Sequence, residues 1–345
     1  MIKAAILGAT GSVGQIFVKL LDGHPWFEVS VVAASERSMG QRYKEAVNWR
    51  LQTKIPEKIA ELEVVAIEPK AVDDVDVVFS ALPAKVAART EKSFAEAGHF
   101  VVSNASAHRM DQDVPLLNPE VNNEHICLID KQRKKRNWSG AIVTNPNCST
   151  TVLTLSLKPI YDEFGINRII VSTMQALSGA GYPGVASLDI IDNVIPFIQN
   201  EEEKMEAETL KILGSAFKPA SFKISASCHR VPTLDGHMEA VFVETKRNAD
   251  PKSVTMVMEN FLGEPQKLLL PTAPPKPIIV KYDEDRPQTR LDRMEGGGMA
   301  VTVGRVRKDA ALKGVKYIVL GHNTIRGAAG CAILNAEYLK AKKYI

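Results

Sequence analysis

Cysteine is scarce: the 345-residue sequence has four, Cys127, Cys148, Cys228 and Cys331. That is too few for a disulfide scaffold in a chain of this length. None forms the close pairs that zinc sites use, so no metal centre is expected. Long apolar runs are missing too, and no stretch approaches the roughly 20 residues that span a bilayer. The N-terminus, Met1-Ile2-Lys3-Ala4-Ala5-Ile6-Leu7-Gly8, lacks a signal-peptide layout and reads as a strand. Charge of one sign is also absent, because 43 Lys+Arg against 40 Asp+Glu leave a net +3. That field is too weak to point to nucleic acid. There is no internal repeat and no low-complexity segment. A cytoplasmic, globular chain with free thiols remains, with no membrane or nucleic-acid partner. Its length predicts about two domains, and 45% hydrophobic with 24% charged residues is ordinary for such a protein.

Strands are expected at 2–7, 29–34, 62–67, 75–80 and 99–103, with helices after Gly14 and over 84–97. Continuous apolar strands alternating with helices predict a parallel sheet covered on both faces. The character changes near residue 145. Helices are expected at 148–161, 201–211 and 327–342, and strands at 169–175, 238–244, 299–304 and 317–320. The 238–244 run alternates, so one face should be lightly covered. Pro271 to Pro277 is a short connection rather than a linker between independent domains. The fold class is α/β: a Rossmann-type doubly wound domain plus an α/β mixed-sheet domain.

Gly8, Gly11 and Gly14 stand where the first strand hands over to a helix. There the chain must turn tightly and aim N–H groups at a phosphate. After the second strand, Ser35, Arg37 and Ser38 offer hydroxyls and a guanidinium to a 2′-phosphate, which favours NADP. Glu36 among them keeps a ribose contact, and hence NAD, open.

Asn145-Pro146-Asn147-Cys148-Ser149-Thr150 carries the sharpest signal. Asn147 suits a helix N-cap, which places Cys148 in the first turn. The free N–H groups and macrodipole there favour thiolate and can hold an oxyanion. Cys127 and Cys331 lie in apolar stretches and are expected to be buried, and Cys228 starts no helix. Of seven histidines, His237 follows Gly236 just before a strand, with His229 as a competing proton-transfer candidate. His24, His99, His108, His125 and His322 have no better local case. The basic run Lys131-Gln132-Arg133-Lys134-Lys135-Arg136 lacks interleaved aromatics and is expected to be a solvated loop.

Taken together, these motifs resemble the archaeal and fungal branch of the aspartate-semialdehyde dehydrogenase family. The resemblance runs over essentially the whole chain. It rests on Gly8 to Gly14, Asn145 to Thr150, Gln175-Ala176-Leu177-Ser178-Gly179-Ala180-Gly181, Glu208-Thr209-Leu210-Lys211, Arg230 to His237, and Gly321-His322-Asn323-Thr324. It implies Cys148 as nucleophile, Gln175 as the residue that orients the acyl group, and His237 as acid/base. By the same resemblance Arg230 pairs with a substrate carboxylate, Glu208 with its ammonium, and Lys211 and Arg109 with phosphate. The cofactor contacts implied are Gly8, Thr10, Gly11, Ser12, Val13, Ala81, Leu82, Ser178, Gly179 and Asn323, besides Ser35, Arg37 and Ser38.

The implied reaction is NADPH-dependent reductive dephosphorylation of L-aspartyl 4-phosphate to the semialdehyde, a step in lysine, threonine and methionine biosynthesis. The acyl phosphate and inorganic phosphate would be the small-molecule partners. The implied organisation is 1–147 with a returning helix 325–345, then a catalytic and dimerisation domain 148–324, in a homodimer or homotetramer. Two alternatives stand beside it. One is an NADPH-dependent acyl-CoA reductase such as malonyl-CoA reductase, against which Glu208 argues because a malonyl group carries no ammonium. The other is a non-redox Cys–His acyltransferase or hydrolase, against which the glycine cluster argues.

Overall fold

The computed structural model describes residues 1–345. The first layer system comprises β1 (Ile2–Leu7), α1 (Ser12–Leu21), β2 (Phe27–Ala33), β3 (Val64–Val65), β4 (Val77–Ser80), α2 (Ala84–Glu96), β5 (Phe100–Ser103), α3 (Leu128–Arg136) and β6 (Ala141–Thr144). Its six strands are all parallel, in the order β3-β2-β1-β4-β5-β6. Every residue of β4, β5 and β6 is buried, as a sheet covered on both faces requires. Helix α1 seals one side with Ile16, Phe17, Val18 and Leu21.

The second system comprises α4 (Cys148–Phe164), β7 (Ile166–Gln175), α5 (Glu201–Ile212), β8 (Lys223–Arg230), β9 (His237–Thr245), α6 (Pro251–Glu259), β10 (Ile278–Lys281), β11 (Val301–Lys308) and β12 (Gly314–Gly321). Its sheet is mixed, ordered β10-β11-β12-β9-β7-β8. Strand β9 buries His237, Glu239, Val241, Val243 and Thr245 and leaves the alternate residues half-exposed, the lightly covered face its pattern predicts. After β12 a π-helical turn, Ile325–Ala329, leads into α7 (Gly330–Ala341).

Two large cores result. One joins Ala4, Ile6, Phe17 and Phe27 to Ile333, Leu334 and Leu339, so the last helix returns to the first sheet. Glu337 on α7 reinforces this return by accepting from His24 Nε2 at 2.8 Å and from the Thr272 N–H at 3.0 Å. The other joins Val152, Leu155, Val171, Val241 and Val319, and it also takes in Leu116 and Val121. The segment around 116–121 thus packs with the second core although it precedes Cys148.

Three expectations are corrected. The basic run is the helix α3, not a loop. Leu128, Ile129 and Gln132 are buried at helical spacing, and Asn137 ends the helix in left-handed conformation at φ 54°. Gln132 also serves the edge of the sheet, accepting from Ile142 N–H at 2.7 Å and donating to its carbonyl at 3.0 Å. Cys127 is exposed rather than buried, because the turn 123–127 faces it outward. Strands β8 and β10 were not expected. Lys223-Ile224-Ser225-Ala226-Ser227-Cys228 does alternate, but with only one large apolar side chain, and Ile278 follows the proline-rich connection.

Candidate active site

Strand order reverses between β1 and β4, where open α/β sheets bind ligands beyond the strand ends. Gly8 sits there at φ 76°, and a Cβ on it would lie 2.9 Å from the Ala81 carbonyl oxygen. A Cβ on Gly14 would come within 2.2 Å of Gly8 O, so only glycine lets α1 approach the turn. Thr10, Gly11, Ser12 and Val13 open α1, Ala81 and Leu82 follow β4, and Ser35, Arg37 and Ser38 follow β2, with Ser35, Glu36 and Arg37 exposed. The tight cradle, the free helix N-terminus and the guanidinium suit a dinucleotide carrying an extra phosphate.

Two buttresses of this turn carry no motif. Buried Tyr43 donates its hydroxyl to Ala9 O at 2.9 Å. Gln15 donates through Nε2 to Thr10 O and Asn48 O, both at 3.1 Å. A polar residue in the buried row of α1 was the one available signal for Gln15.

Cys148 is the first residue of α4. Asn147 caps the helix, its Oδ1 accepting from the N–H groups of Ser149 at 2.9 Å and Thr150 at 3.2 Å. A Cβ on Gly327 would lie 2.7 Å from Cys148 Cβ, so the π-helical turn packs its bare backbone against the thiol. The expected thiolate is not the resting form. Burial, and then the Glu201 charge, push the thiol up to about 12, outweighing the pull of Arg109 and Arg230. Desolvation wins over the helix N-terminus.

The ends of three strands meet at this point. Gln175 closes β7 and pairs in register with Arg230 at the end of β8. Arg230 Nη1 donates to Ala176 O at 2.7 Å, and Gln175 Nε2 to Thr173 Oγ1 at 3.3 Å. His237 opens β9, fully buried, and its Nδ1 accepts from the Ala176 N–H at 3.1 Å. With Nδ1 used as an acceptor, the neutral ring carries its proton on Nε2. Burial and then the Arg230 charge hold the ring down to about 3, so it stays neutral. Nε2 has no protein partner, and Gly179 lies against it, where a Cβ would come within 3.0 Å. His237 therefore presents a hydrogen-bond donor to the site. Acting as a base would require it to give up the Ala176 contact. His229, by contrast, bonds Thr173 O at 3.1 Å.

Asn323 links this group to the cofactor side. Its Oδ1 accepts from Gly236 N–H at 2.8 Å, and its Nδ2 donates to Ser178 Oγ at 2.8 Å. It thereby ties the Ser178-Gly179 turn to the start of β9.

Arg109 and Glu208 meet at 3.0 Å, both buried. Glu208 Oε2 also accepts from the Asn147 N–H at 2.7 Å, next to Cys148. Arg109 Nη2 donates to Asn104 O at 2.7 Å, which leaves its buried Nε without a protein partner and available to an anion. Lys211, the other expected phosphate contact, reaches the loop that carries Arg109. Its ammonium donates to Arg109 O, Asp111 O and Val114 O at 2.6, 2.8 and 3.0 Å. All three hydrogens are committed to the loop that carries Arg109, and burial lowers its pKa to about 8. In this arrangement Lys211 braces the 109–114 loop. A cleft of about 500 Å³ between Lys158, Tyr161, Gly214 and Ser215 lies outside this group.

No cluster of His, Cys, Asp and Glu could hold a metal ion, and no helix is long and apolar enough to cross a membrane. A doubly wound nucleotide domain bringing Arg109 to a second domain with a capped cysteine, a buried histidine and Arg230 points to a dinucleotide-linked dehydrogenase.

Comparison with known proteins agrees. The semialdehyde dehydrogenase NAD-binding domain matches residues 3–129, and the semialdehyde dehydrogenase dimerisation domain matches 157–326. The aspartate-semialdehyde dehydrogenase of Methanothermobacter thermautotrophicus is 57% identical over 98% of this chain and 99% of its own. The malonyl-CoA reductase (NADP) of Metallosphaera sedula is 44% identical over 100% of this chain and 98% of its own. The crystal structure of the Candida albicans aspartate-semialdehyde dehydrogenase with NADP superposes with a TM-score of 0.93, at 43% identity and full coverage of both chains. The chain belongs to the aspartate-semialdehyde dehydrogenase family.

Proposed function

We propose that the chain reduces L-aspartyl 4-phosphate to L-aspartate 4-semialdehyde, releasing phosphate, through a thioester on Cys148. One observation carries the assignment of roles: Cys148 begins a capped helix under the charges of both Arg109 and Arg230, with Glu208 bound to its neighbour Asn147. Three substrate groups then find partners. The Arg230 guanidinium, fixed by Ala176 O, takes the α-carboxylate; Glu208 takes the ammonium; the free Nε of Arg109 takes the phosphate.

In the first half-reaction the sulfur bonds to the acyl carbon and its proton passes to the phosphate that leaves, the two arginines favouring the charge that develops on sulfur. A tetrahedral oxyanion forms and phosphate departs with the C–O bonding pair. The His237 Nε2–H and the Cys148 N–H, which the Asn147 cap does not take up, would stabilise that oxyanion. Gln175 lies between Thr173 and Arg230 and orients the acyl group. NADPH, when bound, supplies the hydride that reduces the thioester. Gly8, Thr10, Gly11, Ser12, Val13, Ala81 and Leu82 hold the nucleotide, Ser35, Arg37 and Ser38 its 2′-phosphate, and Ser178, Gly179 and Asn323 wall its reactive end. The thiohemiacetal left on Cys148 collapses to aldehyde and free thiol. Splitting reduction into acyl transfer and hydride acceptance is the gain of the covalent route.

The organisation we propose is a nucleotide domain of 1–147 with 325–345 and a catalytic and dimerisation domain of 148–324, assembled as a homodimer or a pair of dimers. The family's dimerisation domain supports this assembly. Four cysteines that are all free thiols suit a reducing, cytoplasmic compartment.

The same thioester serves an acyl-CoA reductase, but a buried Glu208 facing the nucleophile's neighbour favours a substrate with an ammonium group. A panel of aspartate semialdehyde, malonyl-CoA and N-acetylglutamate semialdehyde, each with NADP and NAD, tests the reading. Turnover is expected with aspartate semialdehyde, phosphate and NADP. Rapid NADPH oxidation by malonyl-CoA, with none by the aspartyl pair, would reverse the choice. Cys148→Ala should abolish turnover while NADPH still binds.

A further inference from the structure

Helix α5 opens with Glu201-Glu202-Glu203, an acidic first turn that looks like ordinary helix-end chemistry. The structure gives its first member another place. Glu201 is only 6% exposed and lies on the same buried face as Met205 and Glu208. Seven residues apart, Glu201 and Glu208 reach the same target. Glu208 accepts from the Asn147 N–H at 2.7 Å, and Glu201 Oε1 accepts from Asn147 Nδ2 at 2.9 Å. An amide whose Nδ2 is held in this way must turn Oδ1 toward α4, where it caps Ser149 and Thr150. Two carboxylates of one helix therefore clamp the residue that precedes the nucleophile.

Behind this clamp stands Glu239, on the buried face of β9 two residues from His237. It is fully buried, and neither carboxyl oxygen has a hydrogen-bond partner. Burial, and then the Glu201 charge, raise its pKa well above the usual carboxylate range. Glu239 therefore holds its proton more firmly than an ordinary carboxyl does. The other groups around Glu201 are Cys148 on α4, Arg109 in the loop after β5, Arg230 and Cys228 on β8, and Glu202 and Glu208 on its own helix. Glu208 is bound to Arg109, and Glu202 accepts from the Cys228 N–H at 2.8 Å. Of these carboxylates, Glu201 is the one whose charge opposes ionisation of Cys148.

We propose that Glu201 is a positioning residue for the nucleophile: by accepting from Asn147 Nδ2 it fixes the Asn147 cap over the first turn of α4, and it sets a buried carboxylate beside Cys148. That charge opposes the pull of Arg109 and Arg230 on the sulfur. The inference rests on Cys148 being the nucleophile, but its test reads the thiol directly.

The test is the pH dependence of Cys148 alkylation by iodoacetamide, followed by mass spectrometry of the Cys148 peptide in the full-length enzyme. Glu201→Gln keeps an acceptor for Asn147 and removes the charge. Its midpoint is expected to fall by roughly one pH unit, with about tenfold faster alkylation below the midpoint. Glu201→Ala should show the same acceleration and a lower kcat, with KM for aspartate semialdehyde little changed. Glu239→Gln, which replaces a carboxyl that holds its proton firmly by an amide, should keep the wild-type profile. A Glu201→Gln midpoint that stays or rises, or a Glu239→Gln shift as large, overturns the proposal. So does a Cys148 that resists alkylation equally in wild type and Glu201→Gln. Turnover surviving Cys148→Ala would instead overturn the nucleophile assignment, and the alkylation profile would still judge Glu201.

Discussion

His237 shows how much a single contact decides. Its Nδ1 accepts from the Ala176 N–H, which leaves a lone Nε2 proton facing the site. Replacing it with Asn removes that donor and should lower kcat by roughly 100- to 10,000-fold. His229→Asn should cost far less, because His229 is bonded to Thr173 O and its ring is not part of the buried group. Steady-state kcat for the two variants decides, and the reverse order would transfer the role to His229. Both histidines were visible in the sequence, and so was the better local setting of His237 after Gly236. Tyr43, Gln15, Glu201 and Glu239 were not. Tyr43, Gln15 and Glu201 act through partners distant in sequence, 34 residues away at Ala9, 33 at Asn48 and 54 at Asn147, and Glu239 is set by its burial in the fold. Local pattern carries no trace of such contacts. Lys211 was visible as a cation, but which carbonyls would take up its hydrogens depends on the path of the 109–114 loop.

Among the elements, α3 departs most from its sequence pattern. Its charges dominate the composition of the run, but three buried positions suffice to anchor it as a helix. The charges are not equivalent. Lys131 and Lys134 face solvent, whereas Arg136 donates to Asp113 and Asp111, both at 2.9 Å, in the loop behind Arg109. That pairing holds the Asp113 carboxyl down to about 2. Lys131→Gln with Lys134→Gln should therefore leave turnover nearly unchanged. Arg136→Gln should raise KM for phosphate severalfold with little change in KM for NADP, since it loosens the anion loop and leaves the glycine turn untouched. Equal effects on both KM values would place Arg136 in general folding instead. The parallel strands were legible because each is a continuous apolar run. Strand β8, with Ser225 and Ser227 exposed, follows no such pattern, and only pairing with β7 makes it a strand.

For the whole molecule, the buried thiols govern alkaline stability. Burial pushes Cys148, Cys228 and Cys331 each up to about 12 from an ordinary 9.0. A folded value above the unfolded one means that the native state holds its protons longer. The stability is fully present below pH 9 and is lost as the pH rises toward 12. Burial raises Tyr43 and Tyr317 as well, which adds loss in the same direction above pH 10. Lys211 runs the other way, because its folded value of about 8 lies below the ordinary 10.5, so its contribution grows with pH between those limits. One amine over that window is outweighed by three thiols and two phenols. The free energy of unfolding in urea should therefore fall steadily above pH 9. Cys331→Ala, which removes one of these buried titrating groups, should flatten that slope even if it lowers stability at neutral pH by opening a cavity. A slope identical to wild type would mean that the thiols ionise alike in the folded and unfolded chains, and alkaline loss would then have to come from the tyrosines alone.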